Sequence, residues 1–267
     1  MEYTKLNNGL LLPMVGFGTW DVRGDKGKAT ILQALECGYR LIDTATMYDN
    51  EEIVGEAVKE SALPREQLFI TSKIYRPDTS YKLAKESIER SLNKLKTPYL
   101  DLILIHEPYK SSEMMYEAMI EAYNKGIVKA IGVSNFSKDF YLNFIKDAGV
   151  IPAVNQVESH VYYPQLTLKD CLHSHGTLMQ SWASFTEGRK DIFNEPLLVE
   201  IAQKHHKSSA QIALRYLIQN GIAVIPKSST VVRMKENLDV LDFVLDESDL
   251  KKLASLDTGK SLFNWYS

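Results

Sequence analysis

Asp101-Leu102-Ile103-Leu104-Ile105-His106 carries four apolar residues in a row and ends on an imidazole. The run is too short for a helix and lacks polar alternation, which is the pattern of a parallel strand covered on both faces. Comparable runs fall at residues 15–19, 41–43, 68–72, 100–105, 128–133, 153–157, 178–182 and 222–225. Their ends recur roughly every 30 residues, the length of a strand–helix unit. Between them, apolar residues at helical spacing mark residues 29–37, 51–59, 81–95, 111–124, 138–147, 197–205 and 208–219. The interval after residue 182 is longer and begins with an irregular stretch, 185–196. Eight such units in 267 residues predict an α/β chain with one domain, residues 1–267, folded as a (β/α)8 TIM barrel. That fold typically takes about 250 residues. Residues 3–14 read as a β-hairpin that turns at Asn7-Asn8-Gly9 and plugs the barrel floor. Residues 246–256 read as a closing helix begun by Asp246, with Asp249 three positions on, and 257–267 as a loop.

Composition narrows the class of molecule. Hydrophobic residues make up 45% and charged residues 24%, ordinary values for a soluble globular chain. A net charge of −3 offers no electrostatic footprint for nucleic acid or a membrane surface. No run approaches the ~20 apolar residues of a membrane span. Met1-Glu2-Tyr3-Thr4-Lys5 lacks the apolar core of a secretion signal. Cys37 and Cys171 lie far apart and are expected as free thiols. A cytoplasmic monomer is therefore the expectation. Cys171 with His173 and His175, and the pair His205-His206, invite a metal reading. Both groups fall in helical segments away from the strand ends, so no metal is expected.

A (β/α)8 barrel carries its site at the C-terminal ends of its strands. Every strand supplies a polar or aromatic candidate there. Thr19 and Trp20 follow the first, Asp43 ends the second with Tyr48 just beyond, and Lys73 and His106 follow the third and fourth. Ser134 and Asn135, Gln156, Trp182, and Lys227 with Ser228 come from the remaining four. A carboxylate, a phenol, an ammonium and an imidazole at one mouth suit proton chemistry on a carbonyl. A phenol with an ordinary pKa of about 10 donates its proton usefully only if that value is lowered, and a neighbouring lysine cation lowers it. Asp43 would hold the lysine and His106 would position the substrate oxygen.

Each residue also has a blander reading. Asp43 and Lys73 could form a structural ion pair, Trp182 could be core, Gln156 could cap a strand, and Lys227 with Arg233 could form a solvated basic face. The presence of Tyr48 and His106 at the same mouth favours chemistry for the first pair. The last pair follows strand eight, where such barrels often bind phosphate. His160 lies near the pocket with its role open. Tyr162, Tyr163, Trp265 and Tyr266 read as rim or packing.

Taken together, Gly16-Phe17-Gly18-Thr19-Trp20, Gly38 to Ala45, Tyr48 with Asn50-Glu51, Thr71-Ser72-Lys73, Ile105-His106, Gly132 to Phe136, Asn155 to Glu158, and Ile225 to Ser228 with Arg233, Glu236 and Asn237 resemble the aldo-keto reductases. Within that family the resemblance is to bacterial-type diketogluconate and methylglyoxal reductases. It spans nearly the whole chain. It implies an NADPH/NADP+-dependent reduction of small aldehydes or ketones, with Tyr48 as proton donor, Lys73 and Asp43 tuning it, and His106 orienting the carbonyl. It places the nicotinamide against Trp182 and its carboxamide with Ser134, Asn135 and Gln156. Gly18, Thr19 and Trp20 would contact the cofactor. The loop from Ala183 through Ser184 and Phe185 to Gly188 would cover the pyrophosphate. Lys227, Ser228, Ser229, Thr230 and Arg233 would grip the 2′-phosphate, and Glu236 and Asn237 the adenine.

The absence of a Gly-x-Gly-x-x-Gly turn after a strand argues against a Rossmann site. Trp20, Tyr48, Tyr75, His106 and Glu107 would line the substrate pocket. Tyr75 and Glu107 stand where the family often has tryptophan, and Ser184 where it often has proline. The chain after Gly259 is short, which predicts a more open pocket. Two rival functions are a Schiff-base lyase using Lys73 and a non-catalytic NADP-binding regulator.

Overall fold

The computed structural model of the protein describes residues 2–265. Ten strands run in chain order among the described residues. They are β1 (Tyr3–Lys5), β2 (Leu11–Pro13), β3 (Phe17–Gly18), β4 (Leu41–Asp43), β5 (Phe69–Ile74), β6 (Leu102–Ile105), β7 (Ile131–Ser134), β8 (Val154–Glu158), β9 (Leu178–Trp182) and β10 (Ala223–Val224). β3 to β10 lie side by side in sequence order and every pairing is parallel. The two edges meet. Val15 bridges Val224 in parallel, and the Gly16 amide donates to the Val224 carbonyl at 2.8 Å. The expected (β/α)8 barrel is therefore closed.

The apolar runs pack inward and outward at once. All six residues of β5 and all four of β6 are buried. Close strand packing also sets single residues. A Cβ at Gly132 would stand 2.5 Å from the Val154 carbonyl oxygen, so only glycine lets β7 lie against β8 at this height.

Ten α-helices surround the strands among the described residues. They are α1 (Gly24–Cys37), α2 (Glu51–Glu60), α3 (Tyr81–Lys94), α4 (Ser112–Asn124), α5 (Lys138–Phe144), α6 (Leu166–Ser174), α7 (Pro196–His205), α8 (Ser209–Gln219), α9 (Val231–Leu238) and α10 (Glu247–Ala254). α1 begins five residues before the predicted start, because Gly24 and Gly27 interrupt the apolar spacing there. It ends at Gly38, whose φ of 110° turns the chain into β4 without the strain a side chain would bring. α9 escaped the sequence reading, and α6, the helical segment expected around Cys171, was given no bounds. Each buries only two residues, Leu168 and Leu172 in one and Met234 and Asn237 in the other, too few for a clear stripe. The predicted start of the closing helix holds. Asp246 and Asp249 form a capping box at α10.

β1 and β2 form the expected hairpin. The side chains of Asn7 and Asn8 donate to the carbonyls of Ile151 and Lys129, just ahead of β8 and β7. Leu6, Leu12 and Met14 are buried beneath the strands. The hairpin thus plugs the N-terminal end of the barrel, and the opposite end carries the polar residues. No helix among the described residues is long and apolar enough to cross a membrane.

Candidate active site

β4 and β5 deliver Asp43 and Lys73 to the centre of the barrel mouth. Both are essentially buried, and Lys73 Nζ stands 2.5 Å from Asp43 Oδ1. The same ammonium donates to the Thr44 carbonyl at 3.0 Å and to Tyr48 Oη at 3.2 Å. All three of its donors are thereby used. Tyr48 arrives on a short helical turn, Thr46–Tyr48, that follows β4. Asn50 anchors this turn. Its side-chain nitrogen donates to the carbonyls of Thr19 and Val22, and its oxygen accepts from Thr44. The Tyr48 ring meets His106 at a centroid distance of 5.7 Å and Trp20 at 5.0 Å, both edge-on.

The hydrogen bonds settle the resting protonation states. Asp43 accepts on both oxygens, from Lys73 and, at 2.7 Å, from Gln156 Nε2. Burial pushes its carboxyl up and Lys73 and Gln156 pull it down. Two donors aimed at two oxygens leave no acceptor for a carboxyl proton, so Asp43 is a carboxylate. Burial opposes the Lys73 charge, and Asp43 and Tyr48 outweigh it, so the ammonium is raised above its ordinary value. Burial also raises the Tyr48 phenol, and the Lys73 cation only partly reverses this. The expectation of a net lowering therefore does not hold in the resting site, because desolvation outweighs the cation. The phenol keeps its proton, and Lys73 is in place to receive the negative charge once that proton leaves.

His106 lies well below an ordinary imidazole, first through burial and then through Lys73, and is neutral at neutral pH. Its Nδ1 is buried without a partner among the described residues, which leaves Nε2 toward the cavity.

A cavity of about 880 Å³ stands over these groups, and a second of about 830 Å³ adjoins it. Both are within the range of small-molecule sites. Phe185 and Lys227 line the two cavities alike, which makes one continuous groove. The inner cavity gathers Gly18, Trp20, Ser134, Asn135, Gln156, Trp182, Ala183 and Ser184 with Asp43, Tyr48 and His106. The outer one gathers Ser228, Ser229, Arg233, Glu236 and Asn237. Thr19 and Thr230 line neither. The Thr19 hydroxyl donates to the Asp43 carbonyl, and the Thr230 amide to Ser228 Oγ. Among the described residues Lys227 and Arg233 make no ion pair, so two cations line the outer cavity without a direct ion-pair partner.

The substrate-side residues converge as well. Tyr75 meets His106 edge-on at 5.2 Å. Glu107 is not a lone carboxylate, because Arg76 Nη2 lies 3.3 Å from its Oε1 and both line the inner cavity. Arg76, Asp21, Met47 and Glu187 were not foreseen in that wall. None ends an apolar run, which was the signal used.

The C-terminal residues also differ from expectation. Glu158 accepts from Ser261 Oγ and from the Leu262 amide at 2.8 Å. Phe263 packs edge-on against Trp182 at 4.9 Å, and Trp265 stacks on it with rings 16° apart. A short tail therefore reaches the mouth and partly closes it, and Trp265 lines the cavity rather than only its rim. Tyr266 lies outside the described residues. His160 is buried beside the mouth with Nε2 3.0 Å from Glu158. Tyr162 is buried and donates to Glu195, which bears out a packing role.

Comparison with known proteins points the same way as the geometry. The model of the Aldo/keto reductase family matches residues 14–258. The methylglyoxal reductase DkgA of Escherichia coli K12 is 40% identical over 261 residues, 97% of this chain and 94% of that one. A glyoxal reductase of Bacillus subtilis is 40% identical over 258 residues, 96% of this chain and 93% of that one. Among solved structures, an aldo-keto reductase from a Medee basin deep-sea metagenome library superposes with a TM-score of 0.96 at 40% identity, covering 99% of this chain and 98% of its own. The aldose reductase of Schistosoma japonicum does so with a TM-score of 0.94 at 32% identity, covering 99% and 95%.

Proposed function

Because the chain belongs to the aldo/keto reductase family, we propose that it reduces small aldehydes and ketones with NADPH, using Tyr48 as the proton donor. One observation carries this reading. Lys73 donates to Tyr48 Oη, so the phenol's own hydrogen is free to point into the cavity, and it donates to no described residue. A bound reduced nicotinamide supplies the hydride. His106 Nε2 holds the carbonyl oxygen by a hydrogen bond, which a neutral imidazole can donate. Tyr48 passes its proton to that oxygen as negative charge develops there. Lys73, kept charged by Asp43, stabilises the phenolate left behind. The groove fits the cofactor. Its inner end offers Trp182 as an aromatic surface and its outer end two unpaired cations for a 2′-phosphate, some distance from the acid. The loop after β9, with left-handed residues at Ala183, Thr186 and Glu187, lies where it would cover the pyrophosphate.

The lyase alternative requires a neutral Lys73 as nucleophile. Three hydrogen bonds donated by its ammonium and a raised pKa oppose that. A panel of carbonyl compounds tested for NADPH consumption, with NADH in parallel, separates catalysis from mere cofactor binding. Glyoxal and methylglyoxal come first, because two relatives are named for them. No consumption with any member of the panel would leave the regulator reading in place.

The Arg76–Glu107 pair sets a charge preference. Alone, Glu107 would repel carboxylate-bearing substrates, but Arg76 offsets it. Glu107→Gln keeps the shape and unmasks the guanidinium. kcat/KM for a carboxylate-bearing aldehyde is expected to rise severalfold relative to a neutral one of similar size. The gain should fade at high salt, since Arg76 is largely exposed. An unchanged ratio at every ionic strength would place the pair outside the substrate's reach.

A further inference from the structure

Gln180 has no role in the chemistry above, yet it sits fully buried inside the barrel one strand from Gln156. The two face each other in the β8–β9 register. Gln156 Nε2 lies 2.7 Å from Asp43 Oδ2 and 2.8 Å from Gln180 Oε1. A primary amide has two N–H donors, so both are engaged. The side-chain Oε1 of Gln156 takes no hydrogen bond from any described residue, and Gln156 lines the inner cavity. Gln156 therefore offers the cavity an acceptor and no donor.

Gln180 holds this arrangement at a cost. Its own Nε2 is buried and has no partner among the described residues. A buried donor without an acceptor is destabilising, and a methionine or leucine of similar bulk would avoid that penalty. Stability of the fold does not account for a glutamine at this position. Its carbonyl does, by taking the second N–H of Gln156.

We propose that Gln180 is a positioning residue. By occupying the second donor of Gln156, it makes that amide acceptor-only toward the cavity. The site then selects a cofactor whose nicotinamide side chain can donate a hydrogen bond. The inference rests on the nicotinamide cofactor proposed above. Asp43 alone does not enforce the selection. It engages one N–H, and the other, left without an acceptor, would be free to donate to a carbonyl oxygen in the cavity.

The test compares NADP+ with its 3-acetylpyridine analogue, in which a methyl group replaces the carboxamide nitrogen and its hydrogens. Binding is read by quenching of tryptophan fluorescence. All three tryptophans, Trp20, Trp182 and Trp265, line the inner cavity. The unaltered chain is expected to bind NADP+ about 3- to 10-fold more tightly than the analogue, the effect of one hydrogen bond. Gln180→Met and Gln180→Leu remove the acceptor with two different shapes, and the ratio should fall toward unity in both. Gln180→Glu retains an acceptor and removes the orphaned donor, and should restore the preference. A merely structural role would weaken both ligands together and leave the ratio unchanged. No preference in the unaltered chain, an undiminished ratio in the methionine and leucine variants, or no recovery with glutamate would each overturn the proposal. If neither dinucleotide binds the unaltered chain, the cofactor assignment itself falls, and the proposal with it.

Discussion

Tyr48→Phe is expected to slow carbonyl reduction by ~10²–10⁴-fold, the usual worth of a general acid, while NADPH binds almost as tightly as before. The phenylalanine ring keeps the edge contacts to Trp20 and His106. Lys73 loses one acceptor but keeps Asp43 Oδ1 and the Thr44 carbonyl. Only the transferable proton and the site of the phenolate disappear. The measurement is single-turnover reduction with a deuterium-labelled cofactor, so that an isotope effect certifies that hydride transfer limits the rate. Undiminished turnover under that condition assigns the acid elsewhere.

The pH dependence adds a check with a definite sign. The active phenol is the protonated one, and burial holds its pKa above the ordinary value of about 10. Reduction should therefore remain level through neutral and mildly alkaline pH and decline only beyond about pH 10. His106 works neutral and is lowered well below 6.5. No loss is expected as pH falls from 8 to about 6.5.

The fold was legible because a parallel barrel writes itself twice. Its strands are apolar on both faces, and its strand ends recur at a fixed interval. Strands at 41–43 and 178–182 were placed to the residue. α6 was expected only as a helical segment without bounds and α9 not at all, since helices that bury two side chains leave no stripe to read. Three of the four groups that meet at the mouth were legible for a related reason: Asp43, Lys73 and His106 each end an apolar run and so announce a place there.

Residues that reach the cavity from loops carry no such mark. Arg76 lies past the end of β5, Glu187 in the long loop after β9, and Trp265 in the tail. Gln180 was missed for the opposite reason. It lies within an apolar run, and a polar residue there can be told from a flaw in the pattern only once Gln156 is seen across from it. The balance of burial against charge on Tyr48 also had no trace in the sequence. The presence of Lys73 was visible, but the extent of desolvation depends on how the loops close.

Removing both cations from the outer cavity should separate the two nicotinamide cofactors. In Lys227→Ala combined with Arg233→Ala, NADPH binding is expected to weaken by roughly 10²–10³-fold, from the loss of two charge-assisted contacts. NADH, which lacks the 2′-phosphate, should change by less than about 3-fold, as usual for surface substitutions. Two features of the structure support so large a difference. Neither cation has an ion-pair partner among the described residues, so no existing pair must be broken for a phosphate to bind. Glu236 lines the same cavity, and once the cations are gone its carboxylate repels a phosphate without hindering a ribose hydroxyl, which can donate to it.

Both side chains are exposed, so the fold should tolerate their loss. Exposure also means that salt screens them. In the unaltered chain NADPH affinity should fall with ionic strength more steeply than NADH affinity, and in the double variant the two slopes should converge. The experiment is a titration of both cofactors against both proteins at low and high salt. Equal losses for NADPH and NADH would remove the 2′-phosphate from this cavity and leave Lys227 and Arg233 as a solvated basic face.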